Sequence, residues 1–424
     1  MDRLIFLSLF LGLVSGRQPI QLQADAGVKS VVVTLGGQEA AKIAGAPWKA
    51  IVDFGSELTP RELVAIGYDE RGYEIARATQ VINLPRPAAE LGMTLQRERG
   101  ETPTHVALTW RHRDAATPRR TSVTLDGKRL RLSAELKAKL PAVKWNVPHV
   151  IEAEMHFSDR AVARTQLVTQ AGFSDFVGSQ MTPVLLRAPG AKEPADVDQC
   201  FAIDGTPLDA RALEKSNALV LLVKDPNGTT FGEPSAANTI LPVIRLDRGT
   251  SATTIWPVGR KVVGEMTSDL LDRTLEIDVA KYDFRAVLTR PHIYAPMKDA
   301  RRVTDAVAVA GLAALRSQRR RAVVLLLSDE PEQSRNDPKA VRRYLESIGV
   351  PLFVWSPKGP RPDLADTWGE VIDVSNEVAL LRATNKLRAT LAEQRIVWVA
   401  ADPLRALRMT STGRCELTPV AQHE

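Results

Sequence analysis

The sequence predicts a multidomain chain in which two β-sandwich units are followed by a doubly wound α/β domain. Three observations predict it. From residue 20 to about residue 170 the chain consists of short alternating runs broken by Gly, Pro and Asp turns, the pattern of strands buried on one face. Further on, unbroken apolar runs at residues 218–223 and 322–327 alternate with amphipathic stretches, as strands buried on both faces of a parallel sheet do. Finally, 424 residues are too many for one ordinary core.

Residues 1–16 read as a processing signal ahead of the folded units. Arg3 gives a minimal basic start, residues 4–14 are largely apolar, and Val14-Ser15-Gly16 offers a cut site. That apolar stretch is too short to span a bilayer, and no later segment approaches the ~20 apolar residues a span needs. The expectation is an exported protein, periplasmic or secreted, with no integral membrane span after cleavage; an uncleaved anchor is the alternative.

The first sandwich is expected over residues 17–90 and the second over 91–172, because the region repeats itself. Val33-Thr34-Leu35-Gly36-Gly37 is echoed by Val123-Thr124-Leu125-Asp126-Gly127, and each is followed by a Trp, Trp48 and Trp145. Strand-like runs at 62–68 and 149–157 come next, and 76–80 and 163–166 close the two units. One buried Trp per unit and evenly spaced strands suggest immunoglobulin-like sandwiches. His149, Glu152, Glu154 and His156 could suggest a metal site, but strand alternation puts His149 on the face opposite the other three. They are read as strand positions, the last three on a solvated face, with His156 as a ligand the alternative.

Residues 173–198, rich in Gly, Pro and polar types, are expected to be a linker. The α/β domain is then expected over 199–405, with a tail at 406–424. It opens with a hairpin turning at Asp204-Gly205. The strand at 218–223 ends in Lys224-Asp225-Pro226-Asn227-Gly228-Thr229. Residues 269–290 are ambiguous, since Leu275, Ile277 and Val279 alternate like a strand. An Ala-rich helix follows at 305–315, then the strand at 322–327, which ends in Ser328-Asp329-Glu330. Asp337 caps a helix that begins at Pro338; Val341, Tyr344, Leu345 and Ile348 form its apolar face and Gly349 stops it. Strands at 351–355, 371–374 and 396–400 and a helix from about 377 to 393 complete the unit.

This order resembles the von Willebrand factor A fold over residues 199–405, and more narrowly the related domain of exported acidobacterial-type proteins. The resemblance implies a metal-ion-dependent adhesion site: Asp-x-Ser-x-Ser on one loop, Thr on a second and Asp on a third. Such a site offers oxygen donors to a hard cation such as Mg²⁺. In one register Lys224, Pro226 and Gly228 fall on the first motif and no ligand remains. Shifted by one, Asp225, Asn227 and Thr229 supply oxygens. Arg301 stands where the second-loop Thr is implied, with Thr304 nearby, and Asp329 matches the third position. Two readings follow: a weak site for Mg²⁺ or another divalent cation, or a degenerate metal-free site with Arg301 or Lys224 in the metal's place, paired with Asp329.

The remaining signals narrow the class. Fifty-six Lys+Arg against 50 Asp+Glu leave +6, too small an excess to imply a polyanionic partner. Arg319-Arg320-Arg321 has no interleaved aromatics and is expected to be a solvated helix end, so no nucleic acid is expected. Acidic pairs such as Glu330/Glu332 and Asp269/Asp272 are likewise read as solvated. Cys200 and Cys415 stand 215 residues apart, either bridged or two separate buried thiols. Nucleophile-elbow, Walker A, dinucleotide-binding and zincin motifs are absent from the sequence. The expectation is a non-enzymatic protein-binding chain with no resident cofactor and a protein partner that the sequence does not identify. A scaffold role is the alternative, and a hydrolase comes third.

Overall fold

The computed structural model describes residues 4–8, 10, 12–85, 87–96, 103–112, 114–145, 147, 149–158, 161–169, 176–189, 197, 199–227, 229, 231, 243–261, 267–292, 301–328 and 332–420. Strand is the dominant structure, much of it in small antiparallel sheets.

Two sandwiches form the front of the chain. In the first, a sheet of Leu4–Phe6, Arg17–Ala24 and Lys49–Asp53 faces one of Gln38–Ile43, Ser30–Leu35, Arg61–Tyr68 and Glu74–Ile82. Ile20, Val31, Val33, Val52 and Leu63 are buried between them. The stretch read as a processing signal is built into this unit: Leu4 pairs with Ala24, and both Leu4 and Val14 are buried. In the second, Ala89–Gln96, His105–His112 and Lys137–Lys139 face Lys128–Leu130, Arg120–Leu125, His149–Ser158 and Ala161–Thr169. The His149–Ser158 strand alternates strictly, with His149, Ile151, Ala153, Met155 and Phe157 inward. Trp48 and Trp145 are only partly buried, at the margins of their cores.

The α/β unit is one seven-stranded sheet. Its strands are β1 (Ala218–Val223), β2 (Thr250–Lys261), β3 (Thr267–Arg273), β4 (Ile277–Asp278), β5 (Arg320–Leu326), β6 (Leu352–Ser356) and β7 (Val371–Asp373), in the order β3-β2-β1-β5-β6-β7 with β4 beside β2. Strands β2, β1, β5, β6 and β7 run parallel; β3 and β4 are antiparallel to β2. Helices α1 (Phe284–Thr289), α2 (Val303–Arg316), α3 (Pro338–Ser347), α4 (Ala365–Trp368) and α5 (Glu377–Glu393) accompany it. Period-2 alternation divides each buried strand between two cores. Val220, Leu222, Ala322, Val324 and Leu326 meet α1 and α5, while Leu219, Leu221, Val223, Val323 and Leu325 meet α2 and α3. The ambiguous stretch 269–290 resolves into β3, β4, a short 3-10 turn and α1.

Several expected boundaries are corrected. Phe176–Arg187, inside the expected linker, is a long strand whose first half pairs with Ala161–Thr169 and whose second half pairs with Gln394–Ala400. The strand at Gln394–Ala400 does not close the α/β sheet: it lies antiparallel between Phe176–Arg187 and Ala210–Glu214. An apolar run buried on both faces reads the same in either kind of sheet, so sequence could not separate the two. The Asp204-Gly205 hairpin pairs with Thr410–Ser411 from the expected tail. These pieces bury Val184, Leu186, Phe201, Ile203, Val397, Val399 and Leu417 as a third β unit. The α/β unit is therefore inserted into that unit rather than following a linker. Cys200 and Cys415 are bridged within it, their Cα atoms 5.5 Å apart.

The Arg319-Arg320-Arg321 run is corrected as well. All three residues are buried, since β5 begins at Arg320. Arg319 pairs with Glu276 at 2.9 Å, and Arg320 donates to the carbonyls of Ser216 and Leu391.

Candidate functional site

In an open α/β sheet the crevice lies beyond the carboxyl ends of the strands, where the chain's connections diverge to opposite sides. Here that point is between β1 and β5. The residue after β1 is Lys224, which shares the parity of Val220 and Leu222 and so turns toward α1. Its buried Nζ donates to the carbonyls of Val287 at 3.0 Å and Leu288 at 2.7 Å and to that of Arg290. It also lies 5.2 Å from the centre of the Trp256 ring. Burial, aided by the Arg290 charge, pushes its pKa down to about 7. The carbonyl end of a helix favours a cation, so Lys224 closes the last turn of α1.

Asp225 takes the other side and faces the crevice. One carboxylate oxygen accepts from Arg301 Nε at 2.8 Å and from Ser328 Oγ at 2.8 Å; the other accepts from Arg301 Nη2 at 3.2 Å and from the Asn227 amide at 2.8 Å. The pair is mostly enclosed, with side-chain exposures of 10% and 11%. Burial works to raise the Asp225 pKa, but the Arg301 side chain, the Asn227 amide and the Ser328 hydroxyl hold it below the ordinary carboxylate value. A bidentate guanidinium and two further donors leave this carboxylate saturated.

Of the residues read as metal ligands, the structure brings Asp225 and the Asn227 backbone together, and it turns Lys224 away under α1. Asn227 is exposed and Thr229 is half-buried two residues on. Thr304 lies in the first turn of α2, wholly buried, and its amide donates to Glu332 Oε1 at 2.5 Å. Asp329 lies outside the described residues. The cation beside Asp225 is Arg301, whose expected pairing with Asp329 lies outside the described residues, while Lys224 is turned away onto the carbonyls of α1. Among the described residues, both Asp225 oxygens that would ligate a divalent ion accept from the Arg301 guanidinium instead. Among the described residues no group of three or more His, Cys, Asp or Glu side chains converges.

Besides Glu154, which pairs with His156 and with Arg164 at 3.1 Å, two further acids read as solvated have partners. Glu332 also accepts from Ser334 Oγ at 2.5 Å, and with Asp305 it ties the loop at 332–336 across the start of α2. Asp272 holds His292 Nε2 at 2.7 Å, with the His292 ring edge-on to Trp256. Neither was legible locally, since each acid meets its partner only after the sheet has formed.

No protein-family model matches the chain, and no curated protein matches it. Solved structures similar to parts of it include fibronectin(III)-like modules of Clostridium thermocellum CbhA, with 15% identity over 19% of this chain and 92% of that one and a TM-score of 0.17. The central fibronectin-III array of RIM-binding protein is similar at 13% identity over 43% and 77%, TM-score 0.21. Parabacteroides merdae β-glucuronidase is similar at 12% identity over 40% and 24%, TM-score 0.17.

Proposed function

We propose that this chain is an exported, non-enzymatic protein-binding protein whose α/β unit is von Willebrand factor A-like and engages a protein partner at the carboxyl end of its sheet without a metal ion. The sheet order β3-β2-β1-β5-β6-β7, with β3 alone reversed among those six, supports the likeness. The observation that carries the metal-free reading is the bidentate Arg301–Asp225 pair beside Ser328. It stands where a cation bridging to an acidic partner would be, and supplies fixed charge in its stead.

A scaffold role is favoured by a different observation. Tyr344 on α3 donates to the Asn83 carbonyl at 3.0 Å, Arg343 forms an ion pair with Glu57, and Leu58 of the first sandwich is buried among the side chains of α2 and α3. The α/β unit thus packs on a sandwich through its flank.

Capture from an envelope fraction with and without EDTA separates these readings. Asn227→Trp places a bulky side chain on the exposed loop without touching a buried group. Loss of capture in Asn227→Trp and indifference to EDTA are expected. Equal capture by the variant, or none by either protein, supports the scaffold, and loss with EDTA contradicts the metal-free reading.

A further inference from the structure

Arg321 is 2% exposed. It shares the parity of Val323 and Leu325 and so faces α2 and α3, at the amino end of the sheet, opposite the Asp225 crevice. There it lines an apolar cavity whose walls include Leu84, Val184, Leu185, Leu315, Ile348 and Leu407, with Arg316 also on its border. The walls come from three places: the junction of the two sandwiches, the third β unit and the ends of α2 and α3.

The other buried arginines of this sheet are matched. Arg301 has Asp225, Arg319 has Glu276, and Arg320 has two carbonyls. Among the described residues Arg321 Nε has no hydrogen-bond partner, and no carboxylate forms an ion pair with the guanidinium. Gln394 bonds only its backbone. Burial alone pushes the guanidinium pKa down to about 10, still well above neutrality, so the group is charged. A buried charge without a counter-ion is strongly unfavourable, whereas an anion arriving with an apolar chain would match both the charge and the walls.

We propose that this cavity binds a small monocarboxylate bearing an aliphatic chain, with the carboxylate on Arg321 and the chain along Val184, Leu185, Leu315 and Ile348. Binding here is independent of the crevice at Asp225.

Calorimetric titration of the full chain with sodium hexanoate, 1-hexanol and sodium chloride at matched ionic strength tests this. Hexanoate is expected to bind one to one, and Arg321→Met to weaken it by about tenfold or more, as loss of a charge-assisted contact does. 1-Hexanol is expected to bind more weakly than hexanoate by a similar factor. Unchanged affinity in Arg321→Met, or no response to millimolar hexanoate, overturns the proposal. So does a response to chloride equal to that of hexanoate, which would make the site one for a bare anion. If Arg321→Met does not fold, Leu407→Trp narrows the cavity and leaves the guanidinium in place; full affinity in that variant also overturns the proposal.

Discussion

Asp225 shows how one carboxylate can be placed by sequence yet assigned its partner only by the fold. Its two oxygens take four donors, two of them from a guanidinium. Asp225→Asn removes the carboxylate charge that faces the enclosed Arg301 guanidinium, and the expected loss is about 3 kcal/mol at pH 7, read from denaturant unfolding. The folded pKa lies below the unfolded value of about 3.9. The carboxylate's contribution is therefore complete above about pH 4 and is lost as pH falls through the folded pKa. The gap between wild type and Asp225→Asn should be constant near neutrality and shrink below about pH 4; a gap unchanged down to pH 3 would contradict an ionised, paired Asp225. The sequence placed Asp225, Asn227 and Thr229 on one loop because oxygen donors at that spacing are visible locally. It left open which of Lys224 and Asp225 faces the crevice, although parity tells them apart: Lys224 continues the Val220, Leu222 side and is carried under α1. The bond between Arg301 and Asp225, 76 positions apart, was not legible, because it depends on how two loops meet.

Among elements, those with strong local signals came through and those that depend on pairing did not. Asp337 caps α3 through its contact with the Ala340 amide at 3.0 Å, and α5 runs over Glu377–Glu393, as its amphipathic period indicated. The Arg319-Arg320-Arg321 run was misread because charge suggests solvent, while Glu276 and the carbonyls that bury it are distant in sequence. Gln394–Ala400 was misassigned because apolar runs do not state their partners. The contact of α2 with α3 rests on Gly311: a Cβ there would meet Leu345 Cδ1 at 2.7 Å and Cγ at 3.0 Å. Leu345 is itself wholly buried and has little room to move. Gly311→Val is expected to destabilise by about 2–3 kcal/mol through overpacking, despite any relief of glycine's backbone entropy. A thermal melt matching wild type would show that the two helices can separate freely.

For the molecule as a whole, the inserted arrangement matters most. The chain enters the third β unit at Phe176–Arg187, leaves to build the α/β unit, and returns at Gln394–Ala400. The Cys200–Cys415 bridge holds entry and return together across 215 residues. Replacing both cysteines with alanine is expected to cost about 2–5 kcal/mol, most of it through the freedom regained by the unfolded chain. Calorimetry in the absence of reductant should show the loss in the transition of the third unit, and no change in any transition would contradict it. The front sandwiches were legible because each repeats a short alternating pattern, whereas an insertion leaves no local trace.

If the Arg301 guanidinium holds the place of a cation at the carboxyl end of the sheet, calorimetric titration of Mn²⁺ into wild type and Arg301→Thr will separate the two proteins. No binding to wild type is expected at millimolar Mn²⁺, and binding to Arg301→Thr is expected to disappear when Asp225 is also changed to Ala. Binding to wild type that is lost in Asp225→Ala would contradict it.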